Sequence, residues 1–409
     1  MGSTRRRFLA GSAGAGLGAA LGAAGAGVAR AAESSVPAGR VPFYGRHQAG
    51  IATPSQEHLQ FAAFDMVSDS VDDLHQLLRT WSAAAAAIAE GRPVGPLDTG
   101  ARPPVDTGET VGLGPSKATV TFGLGPGIFR KGRHDRFGLA RRRPAPLVNL
   151  PRFPTDWLQP SLSGGDLAVQ ACADDPQVAF HALHDLIRLA RHVAVPRWTV
   201  AGFGRTANTP LRQTPRNLMG FKDGTANIVS DDHRALRRFV WASGRESPAW
   251  MHGGSYMVVR RIRIMLAKWD GESLNRQQAS VGRYKLSGAP LSGQHEHDPV
   301  DLGAMHNGSL VVPFDSHVRR ASPAYSGGER ILRRGYSFVD GLDPHDSSPK
   351  VGLFFICFQR DPRAQFIPIQ RRLSRIDALN PFTRHEGSAI FACPPGASRG
   401  GFVGEGLFG

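Results

Sequence analysis

Cysteine is nearly missing from this 409-residue chain; Cys172, Cys357 and Cys393 are the whole supply. The three share no metal-type spacing, and an odd trio is a poor disulfide framework. A cysteine-built metal ribbon and a disulfide-stapled scaffold are therefore excluded. Cys172 and Cys357 sit in apolar, strand-like runs, which predicts buried free thiols. Acidic residues are also short, 34 against 49 Lys and Arg. Recognised nucleic-acid motifs are lacking and the basic residues are scattered, so the positive charge does not point to nucleic acid. A strongly apolar run is missing as well. The stretch from Ala10 to Val28 is built from Ala and Gly and is too small-residued to read as a membrane span.

The first 31 residues instead carry a targeting pattern. Thr4-Arg-Arg-Arg-Phe-Leu9 has paired arginines followed by Phe-Leu, and Ala29-Arg-Ala31 puts small residues at the two positions a signal peptidase needs. Residues 1–31 are expected to be a twin-arginine signal peptide, read by the twin-arginine translocase and then removed. The protein is then exported, to the periplasm, the cell envelope or the extracellular space. This route carries folded proteins, so a cofactor can be loaded first. Removal takes away Arg5, Arg6, Arg7 and Arg30 and no acid, which lowers the formal charge from +15 to about +11. Such a surface favours anionic partners: sulfonated dyes, humic or lignin-like polymers, cell-wall polyanions.

About 378 residues remain, enough for two domains with real cores. Phe61 to Met66 is strand-like. Ser70 then reads as an N-cap, and Val71, Leu74, Leu77, Leu78, Trp81, Ala85 and Ile88 form a helical stripe that stops at Gly91-Arg-Pro93. Lys117 to Gly123 and Leu167 to Cys172 alternate like strands. Asp175 caps a second helix with Val178, Ala179, Leu183, Leu186, Ile187 and Ala190 inward, and Trp198 to Phe203 is a strand. The order then repeats: a strand from Tyr256 to Leu266, a short helix from about Asp270, strands at Ile331–Val339 and Val351–Gln359, a helix from Gln365 to Leu379, and a last strand from Ser388 to Cys393. Each half reads β-α-β-β-α-β, so the fold class is α+β, two ferredoxin-like domains with antiparallel sheets. The expected boundaries are 32–215 and 216–409, with Gly/Pro/Thr-rich connections at 92–116 and 204–222.

The candidate chemistry lies in three short segments of the chain. Gly220-Phe-Lys-Asp-Gly224 is a loop with one carboxylate, Asp223, between glycines that let backbone approach a ligand closely. An Asx turn is the plain alternative for such an Asp. His317 lies in Asp315-Ser-His-Val-Arg319, and Arg333 in Ile331-Leu-Arg-Arg-Gly-Tyr336. An Asp, a His and an Arg of this kind are the parts of a haem peroxidase site, with the His on iron and the other two facing peroxide. In this order the segments resemble the dye-decolorising peroxidase family, and closely its exported A-type branch, which includes the deferrochelatase/peroxidase component of bacterial iron uptake. Pro42-Phe-Tyr-Gly-Arg-His-Gln-Ala-Gly-Ile51, the run from Asp166 to His181 and Gly352-Leu-Phe-Phe-Ile-Cys-Phe-Gln359 are similar to further family blocks. The family often continues the histidine segment as H-x-R-L-A-N-P, whereas here it is His317-Val-Arg-Arg-Ala-Ser-Pro323.

The resemblance implies one haem b per chain, in the C-terminal half, with His317 as axial ligand through one ring nitrogen. The other nitrogen should donate to an acceptor, most naturally a carboxylate, that the sequence does not identify. Asp223 would move a proton between the peroxide oxygens. Arg333 would stabilise charge as the O–O bond breaks, while Arg334, its strand neighbour, points to the other face. Gly224, Thr225 and Ala226 would lie along the haem edge. Leu353 and Phe355, two apart on a strand, would roof the distal pocket or simply pack the core. The implied activity is oxidation of aromatic or dye-like donors by H2O2. Carboxylates titrate near pH 4, so a carboxylate base favours mildly acidic medium. Donors too bulky for the pocket would need a relay, for which Trp250, Tyr256, Trp269, Tyr325 and Tyr336 are candidates. Two other functions fit the same chain: a haem deferrochelatase or haem-iron acquisition protein working with an iron-uptake system, and a ferredoxin-like binding module without haem. His295-Glu-His-Asp298 reads as a solvated loop, a metal site or a substrate-access surface. Self-association as a homo-oligomer is left open.

Overall fold

A computed structural model of the protein describes residues 39–204, 213–325, 327–343 and 347–409. The expected signal peptide lies outside the described residues. The first half contains β1 (His58–Met66), α1 (Val71–Ala89), β2 (Thr119–Leu124), α2 (Pro126–Phe129), β3 (Leu167–Ala173), α3 (Pro176–Ala190) and β4 (Ala194–Phe203). The second contains α4 (His233–Phe239), β5 (Ser255–Ile264), α5 (Leu266–Asp270), α6 (Leu274–Val281), β6 (Met305–His306), β7 (Ser309–Leu310), α7 (His317–Ala321), β8 (Leu332–Arg333), β9 (Tyr336–Leu342), β10 (Pro349–Gln359), α8 (Phe366–Arg375) and β11 (Thr383–Cys393).

The two long helices of the first half form for the reasons the sequence shows. The Ser70 hydroxyl accepts the Asp73 N–H at 3.2 Å, and Leu74, Leu77, Leu78, Trp81, Ala85 and Ile88 are buried along one stripe of α1. The Asp175 carboxylate accepts from Gln177 and Val178, and Pro176 occupies the first turn of α3, where a missing N–H costs nothing. In the second half several boundaries differ from expectation, the last strand beginning at Thr383 rather than Ser388. The helix after β5 starts at Leu266 and breaks at Gly271 before α6, and α8 ends at Arg375 rather than Leu379. Ile331–Val339 is not one strand. β8 and β9 both run along β10, but Arg334 and Gly335 interrupt them. Leu353 presses on Gly335, where an added Cβ would meet its Cδ1 at 3.0 Å.

All the strand pairings of the main sheet are antiparallel, and each half has the ferredoxin-like order. Neighbours run β4-β1-β3-β2 in the first half and β11-β5-β10-β9 in the second. The two sheets also join edge to edge, through Ala392 with Leu124 and through Phe203 with Ser337, so that the ring of strands closes. Among the described residues, closure leaves the main sheet no long unpaired edge. Strand alternation then sorts the side chains. Leu59, Phe61 and Ala63 belong with Trp198, Phe338, Phe354 and Phe391 in one core, whereas Ala62, Phe64 and Met66 face α1 and α3 in another. The three cysteines are free and buried, as expected.

A buried ion pair ties the halves together. Arg260 on β5 is 1% exposed. It donates to the Asp156 carboxylate from the first half, to Ser388 Oγ at 3.0 Å and to His385 Nδ1 at 3.2 Å. Breaking such a pair strands a charge in the interior. Asp156→Ala should therefore lower stability by about 3–5 kcal/mol, read from denaturant unfolding. A loss under about 1 kcal/mol would mean that Arg260 finds water or another acceptor.

Candidate active site

The loop carrying Asp223 is built around Asn217. Its Oδ1 accepts from the backbone N–H groups of Met219 (3.1 Å) and Phe221 (3.3 Å), and its Nδ2 reaches Asp223 Oδ2 at 3.4 Å. Gly220 and Gly224 have φ of 84° and 128°, a region side chains with a Cβ rarely adopt. The Asp223 N–H donates to Pro215 O at 2.9 Å, which fixes where the carboxylate leaves the chain.

Arg333 is delivered from β8 to the same place. Its Nη1 donates to Asp223 Oδ1 at 2.7 Å, with both side chains about a third exposed. Asn227 holds the Arg333 backbone on both sides, accepting its N–H at 2.9 Å and donating to its carbonyl at 2.7 Å. Arg334 turns away. It is 2% exposed and donates to Thr53 O and Gln56 Oε1 on the other side of the strand. Strand alternation thus gives the two arginines different partners, yet Arg334, with Thr53 and Gln56, lines the same cavity as Arg333 rather than being shut out of it.

Asp223 and Arg333 line a cavity of about 640 Å³, a size that holds a whole cofactor. Gly224, Thr225, Leu353 and Phe355 share its lining, and Asn227, Ile228 and His297 also contribute. Ala226 is exposed and outside that lining.

His317 opens α7 and is not among the lining residues of this cavity. The charges of Arg333 and Asp223 nevertheless both reach its imidazole. Its Nδ1 donates to Asp377 Oδ2 at 2.7 Å. Asp377 lies just past α8 and is buried, with its other oxygen accepting the Leu379 N–H at 2.9 Å. Burial alone would lower the imidazole's affinity for a proton, but the Asp377 charge and hydrogen bond outweigh it and hold His317 above its ordinary pKa. With Nδ1 occupied, Nε2 is the nitrogen left to bind a metal.

The His295–Asp298 stretch is a turn. Asp298 accepts the N–H groups of Gln294 and His295, and the two histidines do not gather. Among the described residues no metal-type donor cluster forms there. Glu296 turns inward to Lys222 and Thr225 Oγ1, locking the loop beside Asp223. Burial would raise this carboxyl, but hydrogen bonds from Lys222, Thr214 and Thr225 hold it below its ordinary pKa. Of the relay candidates, Trp250, Tyr256, Trp269 and Tyr336 are buried, whereas Tyr325 is 39% exposed beside Arg319 and Arg320.

The residues present fit a haem. There is a cofactor-sized cavity with apolar walls from Leu353, Phe355 and Ile228, a histidine with one nitrogen held by a carboxylate, and an ion-paired Asp and Arg within electrostatic reach of it. Asn217, Asn227, Glu296 and Asp377, which hold these groups, carry no motif of their own in the sequence.

The family profiles for Dyp-type peroxidase, N-terminal and C-terminal, match residues 48–204 and 214–398. The Escherichia coli K12 protein named deferrochelatase is 37% identical over 361 residues, covering 87% of this chain and 84% of that protein. A DyP-type peroxidase from Streptomyces coelicolor is 42% identical, with a TM-score of 0.83 over 90% of this chain and 96% of its own. Ferric DtpA from Streptomyces lividans gives the same identity and TM-score over 90% and 97%. DyPB from Rhodococcus jostii, at 21% identity and a TM-score of 0.60, shares the fold, matching over 86% of this chain and 95% of its own. With both halves matched by one family and relatives this similar along nearly the whole described length, the chain belongs to the Dyp-type peroxidase family of haem peroxidases and is an oxidoreductase.

Proposed function

We propose that this chain is an exported haem b peroxidase, loaded with one haem per chain through His317, that uses H2O2 to oxidise aromatic, dye-like or anionic donors. The observation that carries the reading is the Asp223–Arg333 ion pair on the cavity. Storage of a haem needs neither residue. Haem, when bound, supplies the redox centre that accepts two oxidising equivalents from peroxide and passes them on singly.

The chain's own groups supply the rest. Asp223 Oδ1 is engaged by Arg333 at 2.7 Å, while among the described residues Oδ2 has only the long 3.4 Å contact with Asn217. Oδ2 is thus the freer oxygen, and it takes the proton from one peroxide oxygen and returns it to the departing one. Arg333 spends one N–H on Asp223; its fixed charge meets the negative charge that develops on the departing oxygen. Leu353 and Phe355 supply an apolar part of a cavity wall otherwise lined largely by polar residues. Bulky donors deliver electrons at the surface, and Tyr325, next to α7, is the exposed one among the relay candidates read from the sequence. The positive surface favours anionic donors.

The competing reading is haem-iron acquisition within an iron-uptake system, which the deferrochelatase relatives support by their name. One experiment separates them. Purified holoprotein is mixed with H2O2 and a dye donor, and in parallel with reductant and no peroxide. Peroxide-dependent dye bleaching with the porphyrin iron retained supports the peroxidase. Release of iron to leave metal-free porphyrin, without dye turnover, would replace it. Export is tested separately. The mature N-terminus should lie near Ala32, and changing Arg5, Arg6 and Arg7 to lysine should stop translocation; normal export of that variant would defeat the twin-arginine reading.

A further inference from the structure

A second polar cluster lies between the 92–116 connection and α3, outside the site just described. His181 and Asp185 stand one turn apart on α3, and Asp106 meets them from the connection. All three are buried, at 2%, 0% and 1% exposure. Buried polar groups on a helix otherwise packed through Val178, Ala182, Leu183 and Leu186 need a reason.

The hydrogen bonds assign the imidazole's tautomer. His181 Nδ1 lies 2.8 Å from Glu109 Oε2, a carboxylate that can only accept, so Nδ1 carries the proton. The other Glu109 oxygen takes His184 Nδ1 at 2.7 Å. The lone pair on His181 Nε2 then faces two carboxylate oxygens, Asp185 Oδ2 at 3.4 Å and Asp106 Oδ2 at 3.5 Å. Among the described residues neither Nε2 nor Asp185 Oδ2 has a hydrogen-bond partner. A bare lone pair turned toward two buried carboxylates is unfavourable unless a proton or a metal cation lies between them.

The spacing suits one. All three donor atoms lie within 4.8 Å of one another. A tetrahedral ion with bonds of about 2.0–2.2 Å separates neighbouring donors by roughly 3.4 Å. An imidazole nitrogen with two carboxylates suits zinc and its neighbours, whereas calcium and magnesium prefer all-oxygen shells. Glu109 behind Nδ1 completes the carboxylate–histidine arrangement that orients such a ligand.

We propose that His181 Nε2, Asp106 and Asp185 bind one divalent cation of the zinc type, which fastens the 92–116 connection onto α3. The role is structural. The connection contributes Asp106 and Glu109 to the cluster, while Val94 N–H and Gly108 N–H orient the Asp106 carboxylate at 2.8 and 2.7 Å.

The test uses untagged holoprotein prepared without metal-affinity resin, with zinc and iron counted separately by mass spectrometry. One zinc equivalent per chain is expected after incubation with Zn2+ and desalting, whatever the haem content. His181→Gln and Asp106→Asn should each lose it, and changing both His295 and His297 to alanine should keep it. Excess Zn2+ should raise the Tm of chelator-treated wild type by roughly 5 °C. This arm needs no variant, so a variant that fails to fold leaves the proposal testable. No retained equivalent and no Tm response in wild type would overturn it, leaving a proton on Nε2 as what bridges the carboxylates. So would an equivalent that disappears with His295 and His297.

Discussion

Haem titrated into His317→Ala apoprotein should give no Soret band of the parent kind, or one shifted to a weakly bound form. The expectation rests on which nitrogen is available. Asp377 takes Nδ1 at 2.7 Å, so Nε2 alone is left for iron, and alanine removes it. His297, on the cavity wall, is the competing imidazole. A parent spectrum with parent turnover in His317→Ala would move the ligand role to a residue such as His297. Asp377→Asn is the companion variant. It keeps the ligand but removes the charge behind it, and a group in this position is typically worth 10- to 100-fold in metal affinity. Haem binding should weaken by about that factor while a Soret band persists. If Asp377→Asn binds as tightly as the parent, the hydrogen bond merely orients the ring.

The legible parts of this chain were those whose signals are local. Ser70 and Asp175 announce α1 and α3 because capping is chemistry between residues two or three apart. The loop at Asp223 and the alternation of Arg333 and Arg334 are local in the same sense. The rest depends on partners distant in sequence. Asp377 is 60 positions from His317 and meets it only because α8 packs beside α7. Closure of the strand ring rests on backbone pairs such as Ala392 with Leu124, and backbone hydrogen bonds leave no mark on side-chain patterns. The break between β8 and β9 falls at Arg334 and Gly335, beside Leu353 of β10, a neighbour across the sheet rather than along the chain. His181 sat within a recognisable block of sequence, yet its chemistry depends on Asp106 and Glu109 in a connection that composition marks only as Gly-, Pro- and Thr-rich.

Asp223→Asn and Arg333→Leu should both slow the first optical change on mixing with H2O2, and both should keep their haem. Loss of a general base typically costs about 100- to 10,000-fold. Loss of a preorganised charge partner costs on the order of 100- to 1,000-fold. The ranges overlap, so rate alone does not assign the roles. The shape of the pH profile does. Asparagine cannot carry the proton, so Asp223→Asn should abolish the acidic limb. Arg333→Leu leaves the carboxylate, so the limb should survive with a lower plateau. The structure adds a control. Asn227 holds Arg333 only through its backbone, so Asn227→Ala displaces the guanidinium without deleting it. A misplaced group loses part of its effect, so this variant should lie between the parent and Arg333→Leu, with the acidic limb intact. Stopped-flow mixing across pH measures all three. If both Asp223→Asn and Arg333→Leu react at parent rates, the assigned peroxide chemistry is wrong. If only Asp223→Asn is silent, Arg333 carries the reaction, and Asp223 is reduced to the anchor that its 2.7 Å contact with Arg333 already makes it.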